Sequence, residues 1–234
     1  MKLSARLISI IQFIPRGSTV ADIGTDHALL PVYLVEEGIA QRIVAGDLNM
    51  GPLQAARKKV IETGLNERIT LRQGNGLEIL EPGEAEVCVI AGLGGPTIRQ
   101  VIKDAGPKAM QIKRFILQPM GGSGQLREWL TDNGWRIADE DLVSEDDHIY
   151  EVILAVPGQE STSDRTLNSI GPRLFEKRHP LLSEVLTREI NHNRKILDDM
   201  RQSSVVDTAV KCQTLQERNK NLEWIVECLS SAKR

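Results

Sequence analysis

Apolar residues recur along the chain with two different periods, and the points where the period changes divide the sequence into elements. Leu3, Leu7, Ile8, Ile10, Ile11 and Ile14 fall at three- and four-residue spacing until Pro15 and Gly17 interrupt them, which predicts an opening helix that stops there. A strand from Thr19 to Ile23 follows, then Gly24, then a helix from Leu29 to Val35 ended by Gly38. The same alternation predicts strands at 42–48, 68–71, 87–91 and 114–118, with helices at 52–63, 97–103 and 123–131 between them. Strands alternating with helices imply a parallel sheet covered on both faces.

The rhythm changes after Gly134. Two strand-like runs, 135–143 and 148–156, are joined only by the polar residues Ser144 to Asp147, so they must pair as an antiparallel hairpin. Pro157, Gly158 and the polar segment after them predict a domain boundary, giving an α/β domain at 1–158 and an extension at 159–234. In the extension, Leu181, Leu182, Val185, Leu186, Ile190, Ile196, Leu197 and Met200 trace one apolar helical face, interrupted by Asn193. Val206, Val210, Leu215, Leu222, Ile225, Val226 and Leu229 trace a second, and Ser203 and Ser204 lie between them. Two long helices folded back on each other, coiled-coil-like, would bury both faces.

Composition narrows the class. No apolar run approaches the roughly 20 residues that span a bilayer, so the expectation is a cytoplasmic protein without a membrane partner. Cys88, Cys212 and Cys228 are odd in number and widely spaced, which suits neither a disulfide framework nor paired zinc ligands, and no metal is expected. The net charge of −3 hides an uneven distribution. Residues 1–159 hold 16 Lys+Arg against 21 Asp+Glu, net −5, and residues 160–234 hold 13 against 11, net +2. The net value argues mildly against a nucleic-acid partner, but the extension gathers Arg173, Lys177, Arg178, Arg188, Arg194 and Lys195, a mixture that a solvated helix face also carries.

The most informative segment is Ala21-Asp22-Ile23-Gly24-Thr25-Asp26-His27-Ala28. An acid ending the first strand and a glycine two positions later make a tight turn at the sheet's carboxyl edge, where backbone can approach a ligand. A dinucleotide site wants Gly-x-Gly-x-x-Gly, so that a pyrophosphate can sit on a helix N-terminus, and two of those glycines are missing. S-adenosylmethionine has no phosphate, and its amino group suits an acid. Asp47, 23 positions after Gly24, closes the second strand, where a carboxylate can hold both hydroxyls of a ribose. Gly74-Asn75-Gly76 ends the third strand and Ala91-Gly92-Leu93-Gly94-Gly95 ends the fourth, so several loops at one edge agree. Gln118-Pro119-Met120 ends the fifth strand near an acceptor pocket. Helix capping by Thr25 or Asp26, and a plain turn at Asn75, are the bland alternatives.

Together these motifs resemble the bacterial TrmK-type tRNA methyltransferases, which methylate N1 of adenine 22. The resemblance rests on Leu3-Ser4-x-Arg6-Leu7, the segment 21–28 with Leu30-Pro31, Gly46-Asp47, Asn49-x-Gly51-Pro52, Gly74-x-Gly76-Leu77, Ile90-Ala91-Gly92-x-Gly94-Gly95, Ile116-Leu117-Gln118-Pro119 and Ile149-Tyr150-Glu151. It implies a Rossmann-like class I methyltransferase domain with a C-terminal antiparallel helical extension, S-adenosylmethionine as cofactor and tRNA as partner, whose backbone Arg173, Lys177, Arg178, Arg188, Arg194 and Lys195 would help to hold. Asp22, Gly24, Thr25, Asp26 and His27 would line the methionine end, Asp47 and Leu48 the ribose, and Asn75 and Gly76 the adenine. Ala91, Gly92, Leu93, Gly94 and Gly95 would lie beneath the methyl group. Asp26 and His27 are the candidates for general-base work, and Arg6, Leu29, Gln118, Pro119 and Met120 for the acceptor. Leu29, Asn75, Leu93 and Met120 depart from the residues usual at those places. Competing readings are a methyltransferase for another substrate, a nicotinamide oxidoreductase and a noncatalytic helical module; the sequence leaves the oligomeric state open.

Overall fold

The structure, a computed structural model, describes residues 3–160, 165–202 and 209–231. Its first compact unit runs Met1–Arg173 and its second Leu174–Arg234. Seven strands form one sheet: β1 (Ser18–Ile23), β2 (Ala40–Asp47), β3 (Ile69–Gln73), β4 (Val87–Leu93), β5 (Arg114–Pro119), β6 (Trp135–Glu145) and β7 (His148–Pro157). Their order is β3-β2-β1-β4-β5-β7-β6. The first five strands are parallel, and β7 joins β5 antiparallel. Between them run α1 (Ala5–Ile11), α2 (Leu29–Glu36), α3 (Met50–Glu62), α4 (Gly95–Asp104) and α5 (Ser123–Asp132).

Successive strand residues point to opposite faces, and both faces are buried. Val20, Val89 and Ile116 pack on one side with Ile10, Leu30 and Ala56; Ala21, Ile90 and Leu117 pack on the other with Ile98 and Leu126. This two-sided burial explains why the central strands read as unbroken apolar runs. The β6–β7 turn is tighter than the four polar residues predicted. Only Asp146 and Asp147 lie between the strands, both with positive φ (48° and 62°), the backbone of a two-residue hairpin turn. The opening helix is shorter than its apolar pattern and ends at Ile11, with Phe13 and Ile14 continuing as turns before Pro15. Two 3-10 turns, Gly76–Ile79 and Gly106–Gln111, had no periodic signal.

The first unit continues past the predicted boundary at 158. Glu160 accepts from the Ile137 amide and pairs with Arg173, whose backbone N–H donates to Glu140. Helix α6 (Arg165–Ile170) lies so close to α5 that a Cβ on Gly124 would sit 3.2 Å from the Ser169 backbone. A further short helix, α7 (Pro172–Glu176), follows. A polar, Pro-Gly-marked stretch looks like a linker even when its charged side chains tie it down.

The second unit is dominated by α8 (Leu182–Gln202) and α9 (Ala209–Ser231). Arg178 reaches the Cys228 carbonyl, 50 residues away, and Asn193 bonds Asn219, 26 residues away. Partners that converge toward the connecting residues define an antiparallel pair. Leu186, Ile190, Leu222 and Ile225 are buried in this unit. Ser203, Ser204 and Val206 lie outside the described residues. No described helix is long and apolar enough to cross a membrane.

Candidate active site

The carboxyl ends of β1 and β2 are locked together before either offers a side chain. The amides of Gly24 and Thr25 both donate to the Gly46 carbonyl, at 2.9 and 3.0 Å. Gly46 has no room for a Cβ, which would meet Ile79 Cδ1 at 2.3 Å and the Arg72 carbonyl at 2.7 Å. This close approach sets Asp22 and Asp47 at the same edge. Asp22 is buried, and desolvation pushes its carboxyl up to about 6; the neighbouring Thr25 hydroxyl offsets part of the rise. Thr25 Oγ1 is itself buried without a completed hydrogen bond. Asp47 is half-buried, and its Oδ1 accepts the Asn49 amide at 2.7 Å, which fixes its rotamer.

These acids open onto a cavity of about 380 Å³ lined by Arg6, Leu7, Asp22, Gly24, Asp26, Leu29, Leu30, Asp47, Ala91, Gly92, Leu93 and Met120. The volume lies in the range of small-molecule sites. Its far wall is a β-bulge: the β4–β5 register shifts between Ala91 and Leu93, and Gly92 takes φ 76° there. The bulge aims the Gly92 amide at Gln118 Oε1, 3.0 Å away, and the same oxygen accepts from Arg6 Nη1 at 2.9 Å. The Arg6 guanidinium lies over the Tyr150 ring, 5.4 Å from its centroid, and its backbone N–H donates to Glu145.

Other expected residues lie around the cavity rather than on it. His27 and Ala28 both adopt left-handed backbone, φ 53° and 52°, which turns His27 into an adjoining cleft with Leu29, Ala55, Lys58, Lys59 and Glu62. Its Nε2 stays 3.2 Å from Asp26 Oδ1. Leu48 is exposed beyond β2, and Asn75 is exposed ahead of the 3-10 turn that begins at Gly76. Gly94 caps α4, and Gly95 abuts the Gly121 and Gly122 carbonyls. Gln118 corrects its assignment as an acceptor contact. It is fully buried, with its amide nitrogen turned to the Pro119 carbonyl and Met120 sulfur, so it supports Arg6 and Gly92 from behind. Pro119 is buried as well, whereas Leu29 and Met120 are exposed at the cavity rim.

A family profile described as a methyltransferase domain matches residues 3–153. The tRNA (adenine(22)-N(1))-methyltransferase of Bacillus subtilis (strain 168) is 34% identical, with 98% of each chain covered. The chain belongs to the TrmK-type tRNA methyltransferase family. The crystal structure of the B. subtilis m1A22 tRNA methyltransferase TrmK matches with a TM-score of 0.89 at 33% identity, covering 96% of this chain and 99% of that one. M. capricolum TrmK, solved with the natural cofactor product S-adenosylhomocysteine, matches with a TM-score of 0.86 at 29% identity, covering 98% and 100%.

In this TrmK-type chain the cationic candidates of the C-terminal region divide. Arg173 belongs to the first unit, where its half-buried guanidinium donates to the Ile137 carbonyl and pairs with Glu160; that engagement replaces its expected place on an RNA-facing helix. Arg188 pairs with Glu184 one turn away, and Arg194 pairs with Glu223 of α9. Lys177, Arg178 and Lys195 are exposed in the second unit. Sequence reasoning missed Leu7 and Leu30 in the cavity wall and Glu145 and Tyr150 around Arg6. Adjacency of Leu7 to Arg6 on the opening helix was the available signal there, and the Ile149-Tyr150-Glu151 motif was the signal for Tyr150; Glu145 had none.

Proposed function

We propose that this protein transfers a methyl group from S-adenosylmethionine to N1 of an adenine in tRNA, at position 22 as its curated relative's name states. The observation that carries the reading is the cavity itself, with a buried carboxylate at the end of β1, a second at the end of β2, and a glycine bulge at the end of β4. Its residues fit the cofactor. Asp22 is a buried acid without a cationic side chain at ion-pair distance among the described residues, with the buried Thr25 hydroxyl beside it. The amino group of the methionine end suits Asp22, and the ribose hydroxyls suit Asp47, whose second oxygen is not used by Asn49. Asn75, at the end of β3, would meet the adenine.

Bound there, S-adenosylmethionine would supply a methyl group on a positively charged sulfur, which the lone pair of adenine N1 accepts. The protein's own share is placement. Holding two reactants in line can supply up to roughly 7–11 kcal/mol of the barrier. Gly24 and Gly92, both at positive φ and both on the cavity wall, keep side chains out of the space that the reactants need. Leu29 and Met120 form an apolar rim against which a base drawn out of its stack can rest. Asp26 lines the cavity with its Oδ1 against His27 Nε2, so this pair can take a proton from the methylated, cationic base and pass it outward. We further assign the exposed lysines and arginines of the second unit to the RNA backbone. Nucleoside analysis of tRNA from cells lacking the gene tests the reading: 1-methyladenosine should disappear, and its persistence would overturn the proposal.

A further inference from the structure

Arg6 is the only cation among the described residues lining the cavity, and no described carboxylate pairs with its guanidinium. Asp22, Asp26 and Asp47 line the same cavity, yet no carboxylate reaches ion-pair distance of its guanidinium among the described residues. Its Nη1 donates to a neutral amide oxygen, its planar face lies over Tyr150, and its Nε–H is buried with no acceptor. A guanidinium is a fork of donors with no acceptor of its own, and the group that satisfies such a fork best is an oxyanion. Gln118 holds it there. Two donors, Arg6 Nη1 and the Gly92 amide, converge on Gln118 Oε1, while Nε2 faces the Pro119 carbonyl and Met120 sulfur. Flipping that amide would set donor against donor twice, so its orientation is fixed and so is the guanidinium.

We propose that Arg6 is the oxyanion-receiving residue of the cavity and that Gln118 is its positioning residue, an inference that rests on the methyl-transfer reading above. That reading brings two oxyanions to this wall: the carboxylate of the cofactor's methionine end and the phosphodiester of the target nucleotide. Both present the same chemistry to Arg6, and binding measurements on the full-length protein separate them. The variants are Arg6→Ala and Gln118→Glu. The second is isosteric and places a carboxylate against the guanidinium, so it cancels the charge even if Arg6→Ala does not fold.

Calorimetry compares S-adenosylhomocysteine with 5′-methylthioadenosine, which lacks the amino-acid end. If Arg6 receives the carboxylate, Gln118→Glu weakens S-adenosylhomocysteine about ten- to a hundredfold and leaves methylthioadenosine unchanged. If it receives the phosphodiester, both affinities stay at the wild-type value, and the slope of log affinity for tRNA against log salt falls by about 0.7–0.9. Either result supports the inference and names the oxyanion. An unchanged affinity ratio together with an unchanged salt slope overturns it, and a lowered Tm with neither change reduces Gln118 to a packing residue. Failure of the wild-type protein to bind S-adenosylhomocysteine would instead overturn the methyl-transfer reading.

Discussion

Asp22 ends β1 in a buried position, and desolvation raises its carboxyl from 3.8 to about 6. The folded state therefore binds this proton more tightly than the unfolded chain, and its contribution to stability is fully present below pH 4 and lost as pH rises through 6. The size is roughly 3 kcal/mol at 1.36 kcal/mol per unit. Asp22→Asn should then raise the Tm of the ligand-free protein at pH 7.5, with the gain shrinking toward pH 4, while weakening S-adenosylmethionine binding at least tenfold. A thermal melt series and calorimetry check both halves; a lower Tm at pH 7.5 would contradict the desolvation account. Wild-type cofactor affinity should also fall as pH drops through 6. Asp47→Ala should weaken binding by about 1.5–3 kcal/mol, the range for hydrogen bonds to a charged group, and equal affinity in an intact fold would remove Asp47 from the ribose. Both acids were legible because strand ends and acid spacing are local. The direction of His27 was not, since two consecutive non-glycine residues with left-handed backbone leave no sequence mark. Nor was the burial of Gln118, which depends on Arg6 arriving from another element.

At the scale of elements, the alternation of strands and helices was legible because buried parallel strands leave continuous apolar runs between turn residues. The short elements were not. Helices α6 and α7 have too few residues for a periodic signal, and they are held by contacts such as Gly124 against Ser169 and Arg173 on Glu140. The two glycines that start α4 differ in a testable way. A Cβ on Gly95 would meet the Gly122 carbonyl at 2.6 Å and the Gly121 carbonyl at 2.9 Å, whereas one on Gly94 meets nothing closer than Pro96 at 3.8 Å. Gly95→Ala should cost about 1–3 kcal/mol, and Gly94→Ala should stay near the wild-type Tm; equal melts for the two would contradict the clash. In the second unit, Asn193 interrupts an apolar face because it bonds Asn219 across the helix pair at 2.9 Å, with both residues buried. Asn219→Leu strands a buried amide and should cost about 1–3 kcal/mol. The double change to Leu should recover most of that loss, and additive losses in the double-mutant cycle would refute the pairing.

For the whole molecule, the composition shift toward the C-terminus was legible, but the end of the first unit was not, because the ion pair of Arg173 with Glu160 and the packing of α6 on α5, with Ile170 buried, extend it past a polar stretch that reads as a linker. A chain ending after Pro157 would leave the Ile137 amide and Glu140 without Glu160 and Arg173, and it should melt well below a chain ending after Arg173. The longer truncation should keep S-adenosylmethionine affinity and lose tRNA affinity, with a shallower salt dependence than the full chain. Equal tRNA affinity and salt slope would remove the helix pair from RNA binding. The central claim is methyl transfer from S-adenosylmethionine to N1 of adenine 22, and the most direct test uses the purified protein on an unmodified tRNA transcript. Digestion and mass spectrometry should find one 1-methyladenosine per tRNA, mapped to position 22 by the block it imposes on reverse transcription, and none in a transcript with guanine there. Methylation of both transcripts, or of neither, would contradict the account.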